Sequence, residues 1–394
     1  MRITGFLLAF VLLMGVRTSA ADFEKATDAV RNMGVGWSLG NSLDSHNGSR
    51  MTDVARSQTI WGQPPARPEL MRMVKEAGFG TMRIPVTWYP HIDNDGKVDS
   101  AWMKRVHDVV DYVIDSGMYC ILNVHHDTGA DSEGIKSWLK ADESTYIAQK
   151  DRFESLWRQI AMEFRDYGER LLFEGFNEML DTYSSWCYAS YATPAHYDAA
   201  VAASAYNAVN SFAQCFVDVV RSTGGNNRQR NLVVNTYGAC SGAGNWNPHL
   251  QDPLKQMKLP EDRVLGHLIF QVHTYPDISN LENAMAEVNA MFDDLNRYLV
   301  AKGAPVMIGE WGTSNFNADY EKNRSDMLSF VRFFVQKAKA EDMTPIFWMS
   351  IADRAARSLP AFSHPDLAET LVKAYHGDDF HCVIPKVGDL GRDN

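Results

Sequence analysis

Short apolar runs alternate with longer amphipathic segments along almost the whole chain. Eight of these runs are hydrophobic at nearly every position, which is typical of parallel strands covered on both faces. They lie at residues 34–39, 81–86, 119–124, 171–176, 232–235, 268–272, 306–308 and 345–348. The pattern predicts eight β-strands of one sheet.

The segments between the runs repeat their apolar residues at helical spacing. Residues 102–116 carry valines every three or four positions, and Gly117 follows as a helix stop. Another segment begins at Pro68 and stops at Gly78, and others lie at residues 146–164, 199–221, 281–300, 320–340 and 365–374. Strands that alternate with helices predict a single (β/α)8 TIM barrel. An open doubly wound sheet is the main alternative, but no GxGxxG motif follows the first run.

Two glutamates stand at the carboxyl ends of apolar runs. Glu178 ends LLFEGFNE, which starts at Leu171, and Glu310 ends APVMIGE, which starts at Ala304. The carboxyl ends of barrel strands meet at one face, where barrel active sites lie. Paired carboxylates at such a face are the machinery of glycoside hydrolysis. Glu174 lies within its run, and we expect it to be a paired structural acid.

Other runs also end in polar or aromatic residues, which are expensive to bury without partners or a purpose. The candidates are Arg83, His125, Asn177, His273, Tyr275 and Trp348. Long connections at residues 41–68, 179–196 and 237–264 follow strands one, four and five, so they are expected on the same face. Their aromatic and small polar residues suit an open cleft for a polymer.

Composition and net charge limit the classes of binding partner. The chain has 394 residues, 45% hydrophobic and 22% charged, as in a globular protein with a large core. A formal net charge of −11 argues against nucleic acid or an anionic membrane as partner, and is compatible with a neutral substrate.

Metal ligation and disulfides are not indicated. Adjacent residues on a strand point to opposite faces, so His125 and His126 are not expected to reach one ion. Five cysteines at scattered spacing do not form a disulfide framework. A pairing of Cys187 with Cys215 or with Cys240 stays open.

The amino terminus has the pattern of a cleavable signal peptide. Arg2 precedes a nearly continuous apolar stretch at residues 3–16, and small residues lead to a cleavage site after Ala20. The apolar stretch is shorter than the ~20 residues of a spanning helix. We therefore expect residues 1–20 to be removed from a secreted or periplasmic protein that has no membrane contact after cleavage.

Six motifs carry a family resemblance. They are GWSLGNSLD from Gly36, MRIPV from Met82, NVHH from Asn123, FNE from Phe176, HTY from His273 and IGE from Ile308. In this order, each on its own predicted strand, they resemble glycoside hydrolase family 5, mainly cellulases and related β-glycanases on a (β/α)8 barrel. The resemblance implies that residues 21–394 are one catalytic domain without a cofactor.

The resemblance also implies roles for the two acids. Glu178 would be the general acid/base, with a pKa raised by an apolar or anionic setting. Glu310 would be the nucleophile, and Arg83 beside it would lower its pKa. Tyr275 could donate a hydrogen bond to the same carboxylate.

Four further residues receive roles in the same way. Asn177 would bond the sugar 2-hydroxyl, and Trp348 would stack beneath the sugar ring. His125 and His273 would contact the substrate or orient the glutamates.

The expected protein is a secreted, monomeric, retaining endo-β-1,4-glucanase. A β-mannanase or xyloglucanase of the same family stays open as an alternative. So does a carbohydrate-binding barrel without turnover, although binding alone does not need both acids.

Overall fold

The computed structural model describes residues 22–132, 135–190, 197–244, 246–314 and 320–388. The predicted signal peptide lies outside these ranges. Eight parallel strands form a closed barrel in chain order, and the first strand pairs with the last. They are β1 (Gly36–Ser38), β2 (Thr81–Ile84), β3 (Tyr119–Asn123), β4 (Leu171–Glu174), β5 (Leu232–Cys240), β6 (Leu268–Thr274), β7 (Val306–Trp311) and β8 (Thr344–Phe347). The predicted (β/α)8 barrel is confirmed.

Helices cover the outside of the barrel. They are α1 (Ala26–Met33), α2 (Val54–Ser57), α3 (Pro68–Ala77), α4 (Ser100–Asp115), α5 (Glu143–Glu163), α6 (Ala199–Ser222), α7 (Asp252–Gln256), α8 (Leu281–Tyr298), α9 (Arg324–Ala340), α10 (Ala355–Ser358) and α11 (Pro365–His376). None of the helices in the described ranges is long and apolar enough to cross a membrane.

Capping residues explain where several helices begin. Asp99 accepts hydrogen bonds from the first amides of α4, and Asp142 and Asp198 do the same for α5 and α6. The Asp142 cap starts α5 at Glu143, three residues before the predicted start. At the other end of α3, Gly78 has a φ of 112°, as its predicted stop requires.

Helix α1, which the apolar pattern did not predict, closes the amino-terminal end of the barrel. Its side chains Ala26, Val30 and Met33 pack with one buried apolar residue from each of six strands. Those residues are Ile121, Leu172, Val233, Ile269, Met307 and Ile346. The barrel is therefore sealed by apolar packing at this end, and polar groups collect at the other.

The strand ends differ from the prediction in ways that matter for the site. Strand β4 stops at Glu174, so Glu178 lies on the following loop and not on the strand itself. Strands β5 and β7 run further than predicted, to Cys240 and Trp311, and both contain register shifts. Between β5 and β6 the described residues form one helix, the five-residue α7, where other repeats have a longer helix.

Candidate active site

Arg83 is the centre of a polar layer at the carboxyl end of the barrel. Its guanidinium is fully buried and binds Glu174 at two points, Nε to Oε2 at 2.7 Å and Nη2 to Oε1 at 2.8 Å. Nη1 donates to Glu310 Oε1 at 2.6 Å, and Nη2 also donates to Asn177 Oδ1 at 2.8 Å. One cation thus holds three acceptor side chains, and the expected pairing of Glu174 is confirmed.

Glu310 is almost completely buried between Arg83 and Tyr275. The Tyr275 hydroxyl donates to Glu310 Oε2 at 2.8 Å, which agrees with the predicted contact. Arg83 lowers the pKa of Glu310, as predicted, but the net shift is upward. Burial raises the pKa of Glu310, and this outweighs the lowering by the charge of Arg83 and by the Tyr275 hydrogen bond.

Glu178 lies at the edge of the cleft with its side chain 19% exposed. Its Oε1 is 2.8 Å from His273 Nδ1. Burial raises the pKa of Glu178 to about 7, with a further rise from the charge of Glu174 and an opposing effect of Arg83. A carboxyl group with this pKa holds a proton near neutral pH, which is the direction predicted for a general acid.

The two carboxyl groups lie close together. One oxygen of Glu178 and one of Glu310 are within 4.8 Å of each other, and both are within this distance of a ring nitrogen of His273. Retaining glycosidases have carboxyl groups about 5–5.5 Å apart, and inverting ones about 6.5–9.5 Å. The close approach of these two oxygens favours the shorter spacing over the longer one.

His125 and Trp348 form one wall of the site. Their rings stack with centroids 5.7 Å apart and an angle of 12° between planes. His125 Nδ1 is 3.0 Å from the side-chain amide of Asn123, and Nε2 is 4.0 Å from Glu310 Oε1. An added Cβ at Gly40 would lie 2.9 Å from the Trp348 ring, so the glycine leaves space for the indole.

His125 and His126 do not have the strand geometry that was expected to keep them from one ion. Strand β3 ends at Asn123, so His125 and His126 lie beyond it and do not alternate across a sheet. Donor atoms of Asp44, His125 and His126 lie within 4.8 Å of one another. Asp44, however, already accepts the backbone N–H groups of Asn41 and Ser42, at 3.0 and 2.8 Å. An ion here would compete with these turn-forming hydrogen bonds.

All eight residues predicted for the site gather at one end of the barrel. A cleft of about 590 Å³ is lined by Glu178, Glu310, His125, His273, Tyr275 and Trp348, and also by His126, Trp186, Cys187 and Cys240. Arg83 and Asn177 lie beneath it, within the polar layer. The roles of these residues in catalysis stay predictions. The cysteines are free thiols, so no pairing of Cys187 occurs in the described structure.

The sequence reading missed a ring of buried amides under the cleft. Asn123 and Asn235 donate to Glu174 Oε1 at 3.1 and 3.3 Å, and Gln271 contacts His273. A signal was present for Gln271, which stands two positions before His273 on β6. Residues two apart on a strand share a face.

Exposed aromatic residues extend the surface beyond the central cleft. Trp61 packs against His46 and His126 with centroids 5.1 and 5.3 Å apart. Trp186 is 46% exposed and Trp246 is 64% exposed, and Trp186 lines the cleft. Exposed aromatic faces in loops around a cleft are suited to stacking on sugar rings.

Sequence comparisons identify similar proteins. A family model described as cellulase (glycosyl hydrolase family 5) matches residues 44–353. Endoglucanase B of Neocallimastix patriciarum is 32% identical over 344 residues, which are 82% of this chain and 64% of that protein. Endoglucanase A of Clostridium longisporum is 31% identical over 349 residues, 84% of this chain and 61% of that protein. The chain thus spans less than two thirds of the length of these two relatives.

Solved structures agree closely with the fold. A broad specificity endoglucanase from an uncultured bacterium is 52% identical, with a TM-score of 0.89 over 92% of this chain and 98% of that one. A family 5 enzyme from Prevotella bryantii, solved in complex with a xyloglucan tetradecasaccharide, is 39% identical. Its TM-score is 0.79 over 90% of this chain and 99% of that one.

Proposed function

Because this chain belongs to glycoside hydrolase family 5, the cellulase family, we propose that it is a retaining endo-β-1,4-glucanase. The observation that carries the proposal is the pair Glu178 and Glu310. Their oxygens lie within 4.8 Å, yet the two groups have different surroundings. Glu178 has a pKa near neutrality and an exposed edge, whereas Glu310 is held by a cation and a phenol.

The first step forms a covalent intermediate. Glu178 donates its proton to the glycosidic oxygen while a carboxylate oxygen of Glu310 attacks the anomeric carbon. The bond between that carbon and the leaving chain breaks, and a glycosyl ester of Glu310 forms. In the second step Glu178, now a carboxylate, takes a proton from water. The water oxygen attacks the anomeric carbon and releases Glu310.

The neighbours of the acids support this division of roles. Arg83 and Tyr275 occupy both oxygens of Glu310 and so orient the carboxylate for attack. Asn177 accepts from Arg83 through Oδ1, which leaves its amide nitrogen for a sugar hydroxyl. His273 bonds Glu178 and fixes the direction of the acid.

β-Glucan is the proposed substrate class. Trp348 offers an aromatic face beside the carboxyl pair, and Trp186 and Trp61 add faces further away. A xyloglucan-active enzyme is a second candidate, because a 39% identical relative was solved with a xyloglucan oligosaccharide and a 52% identical one is described as broad in specificity. Initial rates on carboxymethylcellulose, lichenan, xyloglucan and mannan rank these possibilities.

Activity itself is tested with isosteric variants. We expect wild-type protein to release reducing ends from carboxymethylcellulose. Glu178→Gln and Glu310→Gln should each lower the rate by ~10²-fold or more, since a positioned acid or base contributes ~10²–10⁴-fold. Glu154→Gln, a glutamate on the outer helix α5, is the control and should keep wild-type activity. Wild-type protein that binds the glucan without releasing reducing ends would instead identify a non-catalytic binding barrel.

Stereochemistry is a separate measurement. Proton NMR during the first minutes of cello-oligosaccharide hydrolysis should show the β-anomer first, since double displacement retains configuration. Early α-anomer would contradict the retaining mechanism and leave hydrolysis intact.

Export of the protein after removal of residues 1–20 and a monomeric state remain predictions from the sequence. N-terminal sequencing of secreted protein and light scattering test them.

A further inference from the structure

Gln271 is a buried residue of β6 whose amide reaches the ring of His273. It stands two positions before His273, so both side chains share the inner face of the strand. Gln271 Nε2 is 3.2 Å from His273 Nε2, and His273 Nδ1 is 2.8 Å from Glu178 Oε1. Among the described residues, each nitrogen of the imidazole ring therefore has one hydrogen-bond partner.

Gly309 on the neighbouring strand provides the space for this amide. An added Cβ at Gly309 would lie 2.1 Å from the Gln271 Cδ and 2.2 Å from its Oε1. The register of β6 and β7 runs from Val272 opposite Ile308 to His273 opposite Glu310, so the pairing passes over Gly309. The Gln271 amide faces Nε2 of His273, whereas Glu310 Oε2 lies 3.6 Å from Nδ1 of the same ring.

Hydrogen bonding to Gln271 determines which ring nitrogen carries the proton. Burial lowers the pKa of His273 to about 4, so the ring is neutral near neutral pH and has one N–H group. With Gln271 Nε2 placed toward the ring at 3.2 Å, the amide offers only N–H donors there, so the facing His273 Nε2 is the unprotonated acceptor. The proton is then on Nδ1, which donates to Glu178 Oε1.

We propose that Gln271 is a positioning residue that, through His273, directs the acid proton of Glu178 toward the substrate. Because Oε1 accepts the hydrogen bond from His273, the proton of the neutral carboxyl group resides on Oε2. In the other tautomer, Nδ1 would accept the Glu178 proton and hold it away from the glycosidic oxygen. The inference rests on the proposed role of Glu178 as general acid.

Packing alone does not account for glutamine at this position. Within the described ranges its Oε1 is buried and has no hydrogen-bond partner, which is a free-energy cost. Methionine has nearly the same length and volume and would fill the space without a buried polar atom. The N–H donor to His273 is the property that separates the two residues here.

Gln271→Met is therefore the test variant, and leaving-group dependence is the readout. A phenyl cellobioside needs protonation of its leaving oxygen, whereas a 2,4-dinitrophenyl cellobioside leaves without it. We expect the kcat/KM of Gln271→Met to fall about tenfold or more on the phenyl substrate, a part of the ~10²–10⁴-fold supplied by a positioned acid. On the dinitrophenyl substrate the fall should be less than about twofold. Equal losses on both substrates, or no loss on either, would overturn the inference.

A double-mutant cycle tests the route of the effect. Glu178→Gln removes the acid, so adding Gln271→Met to it should cost little more on the phenyl substrate. Full additivity of the two losses would show that Gln271 acts elsewhere and would overturn the proposal. Thermal unfolding of each variant monitors the fold. Failure of the wild type to cleave either substrate would refute the proposed function itself, and is thus distinct from failure of this inference.

Discussion

Glu174 offers a direct test of how charge beneath the cleft controls the acid above it. The carboxylate is fully buried and makes two hydrogen bonds to Arg83, at 2.7 and 2.8 Å. Its negative charge also contributes to the raised pKa of Glu178. Glu174→Gln removes this charge and keeps the side-chain volume.

The structure sets the size and sign of two effects. Removing one partner of a buried ion pair costs ~3–5 kcal/mol of unfolding free energy, and glutamine, which still accepts one bond from Arg83, should fall near the lower end. With Glu178 neutral, the local charge of Arg83, Glu174 and Glu310 sums to −1, and the variant brings it to zero. The pKa of Glu178 must then fall, and its acid form is lost at lower pH.

Two assays follow these effects. Urea unfolding monitored by tryptophan fluorescence gives the loss of stability, provided that the unfolding is reversible and the m value is unchanged. The pH dependence of kcat/KM on a phenyl cellobioside gives the alkaline limb. Glu69→Gln is the matched control, because Glu69 pairs with Arg72 at 2.9 Å while both side chains are about half exposed. Exposed pairs contribute only ~0–1 kcal/mol.

Either of two results would contradict this prediction. A Glu174→Gln variant no less stable than Glu69→Gln would show that the buried pair is not a large contribution. An alkaline limb that stays in place, or moves to higher pH, would show that Glu174 does not raise the pKa of Glu178.

Three further predictions follow from the site. In the wild type, kcat/KM should fall about tenfold per pH unit above pH ~7, because Glu178 must be protonated in the first step; a limb that begins above pH ~9 would contradict this. Tyr275→Phe removes the donor to Glu310 Oε2 and should lower kcat more than it raises KM, as steady-state kinetics would show. Gly309→Ala should cost ~1–3 kcal/mol in urea unfolding through overlap with Gln271, and most of this cost should disappear when the change is made in a Gln271→Ala background.

The sequence predicted the barrel because its apolar runs are nearly continuous. Strands covered on both faces carry that pattern regardless of their neighbours, and helix stops such as Gly78 are local signals. Helix α1 was not predicted because its apolar stripe is short. Its apolar residues are buried because the helix packs against the amino-terminal end of the barrel. The start of α5 was displaced for a local reason, the cap at Asp142.

In the site, too, chain order was informative, whereas effects of burial could not be predicted. Residue type and order pointed to Glu178, Glu310 and their neighbours, because the carboxyl ends of parallel strands must converge. The sign of the pKa shift of Glu310 did not follow, since it depends on how far burial outweighs Arg83. Strand alternation did not apply to His125 and His126, because the strand ends at Asn123, two residues before His125.

By itself the sequence determined which chemical groups are present and which end of the barrel they occupy, because both depend on order along the chain. Tertiary structure decided their protonation and partners. The pairing of Arg83 with Glu174 and the space that Gly309 leaves for Gln271 each involve residues from different strands. The contact of Gln271 with His273 lies within one strand, but its distance is set by the packing around it. Burial and contacts below 4 Å control proton positions, and such distances exist only once the barrel has closed.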